Sequence, residues 1–532
     1  MQKIFLLGLL LLSLLLFKNP FSSNNIISNL EPSPDSIHYL NPVKSFTEGK
    51  GLNISYQDRI IPAHVPPLYS LIITPFYLLT SDIRSFYFTN IILALISAIL
   101  FFKIVTGIFK SRTISILLYL SFCANLIVFL YPSFAMAENL LMTLYLLSIW
   151  LLIRPPTQKT VIALSFLAVA FFATKYVAWI LSLSLIFITS FIVIKKAKHL
   201  TLILFSSLIC FFLTYVSIEY LTKGLNIFER ITGSIPDVFR VFQSFFQTVP
   251  SNLPREFFSK NYFENNFIRF LGGITGGPAV VAGAHFVILP ITVGMVSIFA
   301  IFLNLLSPKN RILSFYFFIS ILATIYYIST FFVADSRYLL EFIPGFLIIF
   351  GLFLERVCNF LYKIKREVYA YILLIFCWIS IFFNTTPAVV NQIKINFFGT
   401  GKSGNYEAIE TMNKFTNKLE GSNKPIIISV LSPYQIDFFS NKKYDLLPIS
   451  KQQYFIPSSQ NVWGIDLQNY SLSDIYKGFL EKGRRVYVSN YLTGEKYWYK
   501  FDLLKIKENF NLISVFDGCS NQCSVYELKL KN

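Results

Sequence analysis

The sequence predicts a polytopic α-helical membrane protein of about eleven transmembrane helices, followed by a C-terminal extracytoplasmic α/β domain. Three observations predict it. Of 532 residues, 54% are hydrophobic and only 14% charged, whereas a soluble domain carries about 25% charged residues. Apolar segments recur along residues 1–386, many of them near the ~20 residues that cross a bilayer, and short basic connections separate them. After residue 387 charged residues become common and the apolar runs shorten.

The first segment, 4–17, follows Lys3 and resembles a signal-peptide core. The KNPFSSNN that follows has no small-x-small cleavage pattern, so a retained first span starting in the cytoplasm is expected. Further spans are expected at 84–105, 113–131, 134–153, 160–173, 176–194, 200–221, 279–305, 312–333, 338–354 and 368–386. Charge orients them. The connections expected inside carry Lys110 and Arg112; Arg154 and Lys159; Lys195, Lys196 and Lys198; Lys309 and Arg311; and Arg356, Lys363, Lys365 and Arg366. The opposite connections at 132–133, 174–175 and 334–337 are lean in charge. The positive-inside rule then puts the N-terminus in the cytoplasm and the C-terminal domain outside an inner or plasma membrane. The net charge of +18 is absorbed by these loops, so nucleic acid is not an expected partner; the lipid bilayer is.

Two outer loops are long. Residues 18–83 contain a polar, aromatic island, Glu31–Tyr69, holding Asp35, His38 and His64. Residues 222–278 alternate aromatic and basic residues at roughly helical spacing, as interfacial helices do. In the tail, 425–430, 484–490, 512–516 and 524–530 read as strands, and 405–419 and 471–482 as helices. Cys519 and Cys523 lie close enough in sequence for a local disulfide in an oxidising compartment. FGTGKSG at 398–404 imitates a phosphate loop, but Asn396 stands where its first glycine is needed.

The order of short motifs resembles the membrane-embedded glycosyltransferases of the GT-C fold, in the family-39-like group of protein O-mannosyltransferases and lipid A aminoarabinose transferases. Asp35-Ser36-x-x-Tyr39-Leu40, followed by Glu48-Gly49-Lys50-Gly51, is similar to the acidic motif of that group. His64-x-Pro66-Pro67-Leu68-Tyr69 is similar to its proline motif, and Arg337-Tyr338-Leu339 with Pro344 to the motif opening a late span. Over residues 1–386 the resemblance implies transfer of a sugar from a polyprenyl-phosphate donor to a protein, lipid or glycan acceptor. It implies Asp35 as the base. Where family members often carry a second acidic residue, Ser36 stands here.

Elementary chemistry is compatible with that implication. Inverting displacement at an anomeric carbon needs one carboxylate to take the acceptor proton. The lipid phosphate leaves as an anion, so cations should stabilise it. Asp35 in SPDS also reads as a helix start. Arg337 and Lys175 are the expected phosphate-binding cations; Arg337 could instead pair with Asp335, and Lys175 could simply snorkel. Glu138, His38, Tyr39 and His64 are further substrate-binding candidates. Glu138 lies at or just inside the outer end of a span, where an uncompensated carboxylate is costly. His38 and His64 with a carboxylate are a donor set for a divalent cation, although without tight spacing they read better as hydrogen-bonding loop histidines; no cofactor is firmly expected, and a divalent cation stays open. His285 is expected inside a span. The rival classes are a transporter or lipid flippase, which calls for mid-membrane charges and inverted repeats, and a non-catalytic family member acting in envelope glycan assembly.

Overall fold

The computed structural model describes residues 1–21, 35–56, 59–63, 65–194, 198–223, 264–265, 267–270, 279–281, 284–286, 290–306, 311–331, 336–398, 413–419, 424–429, 438, 444–448, 470–489, 506–518 and 523–531. The membrane part is a bundle of apolar helices: α1 (Gln2–Leu16), α2 (Asp35–Thr47), α3 (Leu68–Thr80), α4 (Phe86–Ile108), α5 (Arg112–Cys123), α6 (Leu126–Leu130) and α7 (Glu138–Leu152). It continues through α8 (Gln158–Thr174), α9 (Trp179–Ile194), α10 (Lys198–Lys223), α11 (Ile291–Leu305), α12 (Arg311–Phe331), α13 (Ile343–Lys363) and α14 (Glu367–Phe398). Six of the described segments are long and apolar enough to cross a membrane, or seven if the bent pair α5–α6 is one span; five more are apolar but shorter.

Several boundaries differ from the sequence reading for identifiable reasons. The segment at 113–131 bends by 43° between α5 and α6, where the Asn125 side chain accepts from the Ile127 backbone N–H and caps a new helix. Residues 279–286 are a two-stranded hairpin, β3 (Ala279–Val281) with β4 (Ala284–Phe286), so His285 lies in a strand and not in a span. The helix starts only after Pro290, which stands at its N-cap, where a residue without a backbone N–H costs no helix hydrogen bond. Residues 338–342 belong to a 3₁₀ turn, Ser336–Phe342, ahead of α13. The last apolar helix continues to Phe398, beyond the break in composition at 387. Within residues 18–83 the structure adds α3, an apolar helix, and a hairpin of β1 (Asn53–Tyr56) with β2 (Arg59–Pro62). The expected interfacial helices at 222–278 fall almost wholly outside the described residues, as do the 398–404 loop, most of the 405–419 helix and the Cys519–Cys523 pair.

Helix α13 is the axis of the bundle. Of its apolar window 89% is buried, against 11% for α10 and 18% for α14, which lie at the periphery. Between lipid-bathed helices packing, not exclusion of water, drives association, and small residues allow close approach. Gly345 meets the Phe317 ring of α12, and Gly351 meets Leu118 of α5 and Phe109 just ahead of it. A Cβ at either position would lie within 2.4 Å of its neighbour.

Charge separates to the two ends. At one end Glu355 accepts from the Lys110 backbone N–H at 2.7 Å, Arg356 donates to the Leu303 carbonyl at 3.1 Å, and the Arg154 guanidinium stacks on Trp150 at 3.5 Å. The other end gathers the C-termini of α1, α8 and α10 with the N-termini of α4, α7 and α9. There Lys18 donates to Ser133 at 2.7 Å, Asn90 to the Pro132 and Phe134 carbonyls, and Asn396 to the Leu15 carbonyl. The β1–β2 hairpin docks on this end, where the Leu52 N–H donates to the Thr222 carbonyl at 3.1 Å. The approach depends on Gly51, whose φ is +72° and whose Cβ, if present, would lie 2.2 Å from that same carbonyl oxygen. Gly51→Ala is expected to cost at least about 1–2 kcal/mol from the left-handed backbone alone. Thermal unfolding in detergent measures it; an unshifted midpoint would show that the hairpin is not held there.

After the bundle, five strands form a mixed sheet of order β6-β5-β7-β9-β8. Strand β5 (Ile426–Ser429) runs parallel to β6 (Asp445–Pro448) and β7 (Val486–Ser489), while β9 (Cys523–Leu530) is antiparallel to β7 and to β8 (Phe510–Gly518). The four strands read from the sequence lie within β5, β7, β8 and β9 to within a residue or two; β6 was not anticipated. Helix α15 (Leu472–Glu481) begins at a capping box of Ser471 and Asp474 and packs Tyr476 against Ile426, Ile428, Val486 and Leu528.

Candidate active site

The site grows from three turns at the end of the bundle opposite Glu355. Helix α7 starts at Glu138 after the 3₁₀ turn Tyr131–Ser133. Helix α8 ends at Thr174, and Lys175 follows in an extended conformation before the 3₁₀ turn Tyr176–Ala178. The third turn is Ser336–Phe342 at the head of α13.

These turns bring Glu138, Lys175, Tyr338 and Glu341 around one narrow pocket, with Thr324 and Ile328 of α12 on its wall. Lys175 Nζ donates to Glu138 Oε1 at 2.6 Å and lies 4.4 Å from the centre of the Tyr338 ring. The lysine side chain keeps 16% exposure; Glu138 keeps 2%. Glu138, a substrate-binding candidate from the sequence at the outer end of a span, is buried and paired in the structure. Glu341 is also buried, at 5%. Glu138 Oε2, Glu341 Oε2 and Thr324 Oγ1 have no hydrogen-bond partner among the described residues. The pocket therefore combines one cation with several acceptor oxygens.

Glu341 was missed in the sequence because it sits inside the apolar run YLLEFIPG. The available signal was the general one that an ionisable residue within a span marks a functional site.

A second buried group adjoins the first. Glu219 and Lys223 of α10 form an ion pair at 3.1 Å with side chains 1% and 0% exposed. The Tyr215 and Tyr176 hydroxyls reach Glu219 at 2.7 and 3.2 Å, and Lys223 donates to the Val65 carbonyl at 2.5 Å. This cluster also escaped the sequence reading, although its i, i+4 spacing was visible.

The other sequence candidates have the following places. Asp35 is the first residue of α2, and its side chain lies outside the described residues, as does His64. Arg337 stands in the turn beside Tyr338; its side chain and Asp335 are likewise outside. His38 is half-buried on α2. Tyr39 is buried and meets the Tyr69 ring edge-on at 5.3 Å. The Tyr69 hydroxyl donates to Asn90 at 2.8 Å, and the Glu138 carboxylate is near enough to act on it electrostatically. Tyr39 is one helical turn from position 35, so both share a face of α2. Tyr39 thus joins that face to Tyr69, and the Glu138–Lys175–Tyr338 group lies within electrostatic reach of Tyr69. Lys18 adds a cation at the same end, its ammonium lowered by burial from the usual lysine range to about 8. Among the described residues no group of three or more His, Cys, Asp or Glu is placed to hold a metal ion.

No family model matches the chain, and no curated protein matches it. Solved structures do. ArnT from Cupriavidus metallidurans, both in the apo state and bound to undecaprenyl phosphate, matches with a TM-score of 0.59 at 12% identity, covering 99% of this chain and 97% of that one. The Archaeoglobus fulgidus oligosaccharyltransferase in the apo form matches with a TM-score of 0.55 at 11% identity, covering 94% of this chain and 70% of its own. At such identities the likeness is one of fold, and it extends over nearly the whole chain: the protein is a polytopic membrane protein with the GT-C fold of these transferases.

Proposed function

We propose that the protein is an inverting glycosyltransferase that moves a sugar from a polyprenyl-phosphate donor to a hydroxyl of a protein, lipid or glycan acceptor at the extracytoplasmic face. The observation that carries this reading is the paired lysine at the mouth of a buried, acceptor-rich pocket, in a fold shared with ArnT, which has been solved bound to undecaprenyl phosphate. Asp35 takes the proton from the acceptor oxygen as that oxygen bonds to C1 of the sugar. The C1–O bond to the carrier breaks, and the electron pair leaves with the phosphate. Arg337 and Lys175 receive the phosphate charge; Arg337 offers a forked donor and Lys175 a point charge. Glu341 and Thr324 supply acceptors for the sugar hydroxyls, in keeping with their unpartnered oxygens.

The same reading takes α1, α4, the bent pair α5–α6, and α7 to α14 as eleven crossings, with the shorter helices spanning through tilt and local thinning of the bilayer. The N-terminus is then cytoplasmic, and the sheet of β5–β9 lies outside as a separate domain, beside the acceptor. The end bearing Lys110, Arg154 and Arg356 is the cytoplasmic one, in keeping with the basic loops.

Native mass spectrometry of the detergent-solubilised protein with undecaprenyl phosphate tests the central claim. A bound carrier lipid, in preference to a neutral polyprenol, is expected. Equal or absent binding of the two would overturn the reading.

A further inference from the structure

The turn that carries Lys175 hangs between two buried carboxylates. On one side Lys175 reaches Glu138. On the other, the adjacent Tyr176 hydroxyl bonds Glu219 Oε1 at 3.2 Å. Glu219 also takes the Tyr215 hydroxyl at 2.7 Å and Lys223 at 3.1 Å, and Lys223 in turn holds the Val65 carbonyl. Val65 opens the Pro66-Pro67 turn into α3, the helix that carries Tyr69 within electrostatic reach of Glu138. Glu219 and its lysine partner therefore tie the end of α10, the lysine turn and the entry to α3 together, and the lysine turn lines the candidate site.

We propose that Glu219 is a positioning residue for Lys175: through the Tyr176 hydroxyl it holds the Lys175–Ala178 turn so that the lysine ammonium faces the pocket and not the headgroup layer. The physical case is one of reach. Lysine is a flexible four-carbon stem that snorkels readily toward water. The turn's backbone bonds, from the Lys175 N–H to the Phe171 carbonyl and from the Ala178 N–H to the Lys175 carbonyl, set its local shape, and an ammonium that exchanged Glu138 for a phosphate would give up one of its ties to the bundle. Glu219, neutralised by Lys223 and only 1% exposed, is an anchor that such an exchange does not disturb. The inference rests on the reading of Lys175 as a cation for the carrier phosphate.

Two variants test it. Tyr176→Phe removes the hydroxyl and keeps the ring. Glu219→Asp keeps the charge opposite Lys223 while withdrawing it from Tyr176, which avoids stranding a buried ammonium as Glu219→Gln would. Each is expected to weaken undecaprenyl phosphate binding roughly tenfold, the range of one hydrogen bond to a charged group. A general packing defect could mimic this loss, so the deciding readout is a double-mutant cycle. In a Glu138→Gln/Lys175→Met background neither substitution should change the residual affinity further. Equal losses in both backgrounds, or no loss in the Lys175 protein, would overturn the positioning role. If the unaltered protein does not bind undecaprenyl phosphate, the functional reading fails and this inference falls with it.

Discussion

Asp35→Asn is expected to leave insertion and folding intact and to slow sugar transfer by about 10²- to 10⁴-fold, the usual contribution of a positioned general base. Position 35 is the first residue of α2, and an Asn caps a helix start about as well as an Asp. The substitution therefore separates the two roles that the SPDS sequence allows. If Asp35 only starts the helix, the Asn protein keeps its rate. If it is the base, turnover collapses while undecaprenyl phosphate still binds, because the phosphate is received by Arg337 and Lys175. Transfer of radiolabelled sugar in proteoliposomes, with carrier binding measured on the same preparation, distinguishes these outcomes. A near-normal rate would remove Asp35 from the chemistry.

The second large effect concerns the Glu138–Lys175 pair. Lys175→Met strands a carboxylate that is 2% exposed. Breaking a buried pair from one side costs about 3–5 kcal/mol, and the 16% exposure of the lysine argues for the lower part of that range. Glu138→Gln/Lys175→Met removes both charges at similar volume and is expected to recover most of the stability, since neutral replacements of whole buried pairs are often tolerated. It is expected to keep only the weaker carrier affinity that Arg337 supplies. Unfolding in mixed micelles reports the first quantity and carrier affinity the second. Full stability in the single variant would show the pair to be solvated; carrier binding by the double variant as tight as in the unaltered protein would show that Lys175 does not meet the phosphate.

The two experiments address different depths of the same site. Asp35 starts α2, one turn ahead of Tyr39, whereas Lys175 is rooted in the bundle between Glu138, Tyr338 and the Glu219 cluster. If Asp35 is the base, the buried turns of α2 that follow it hold it in place for the acceptor. A phosphate cation held by buried partners on two elements is preorganised, as a site that must stabilise a leaving anion requires.

Much of the membrane architecture was legible in the sequence because a bilayer imposes two simple constraints. Spanning segments must be apolar over a hydrocarbon-scale length, and basic residues gather on one side. The apolar segments around α4, α7, α8, α9, α10 and α12 are therefore visible from composition alone, as are the basic clusters that the structure collects at one end. Finer breaks depend on single side chains: Asn125 capping α6, and Pro290 delaying α11. The two short strands of the 279–286 hairpin, AVV and AHF, read as the start of a span because the segment around them is largely apolar, and periodicity cannot separate strand from helix over so short a run.

The sequence by itself determined which residues could do chemistry at a membrane surface, since few ionisable groups interrupt the apolar background: Asp35, Glu138, Lys175 and Arg337 stand out for that reason. Only the tertiary structure decided that Glu138 and Lys175, separated by 37 positions, are partners at 2.6 Å, that Glu341 joins their pocket, and that Glu219 grips the turn between α8 and α9. The physical reason is that pairing is a property of which helix ends share one end of the bundle. Buried charges must find counter-charges there, and the chain records the charges without recording the neighbours.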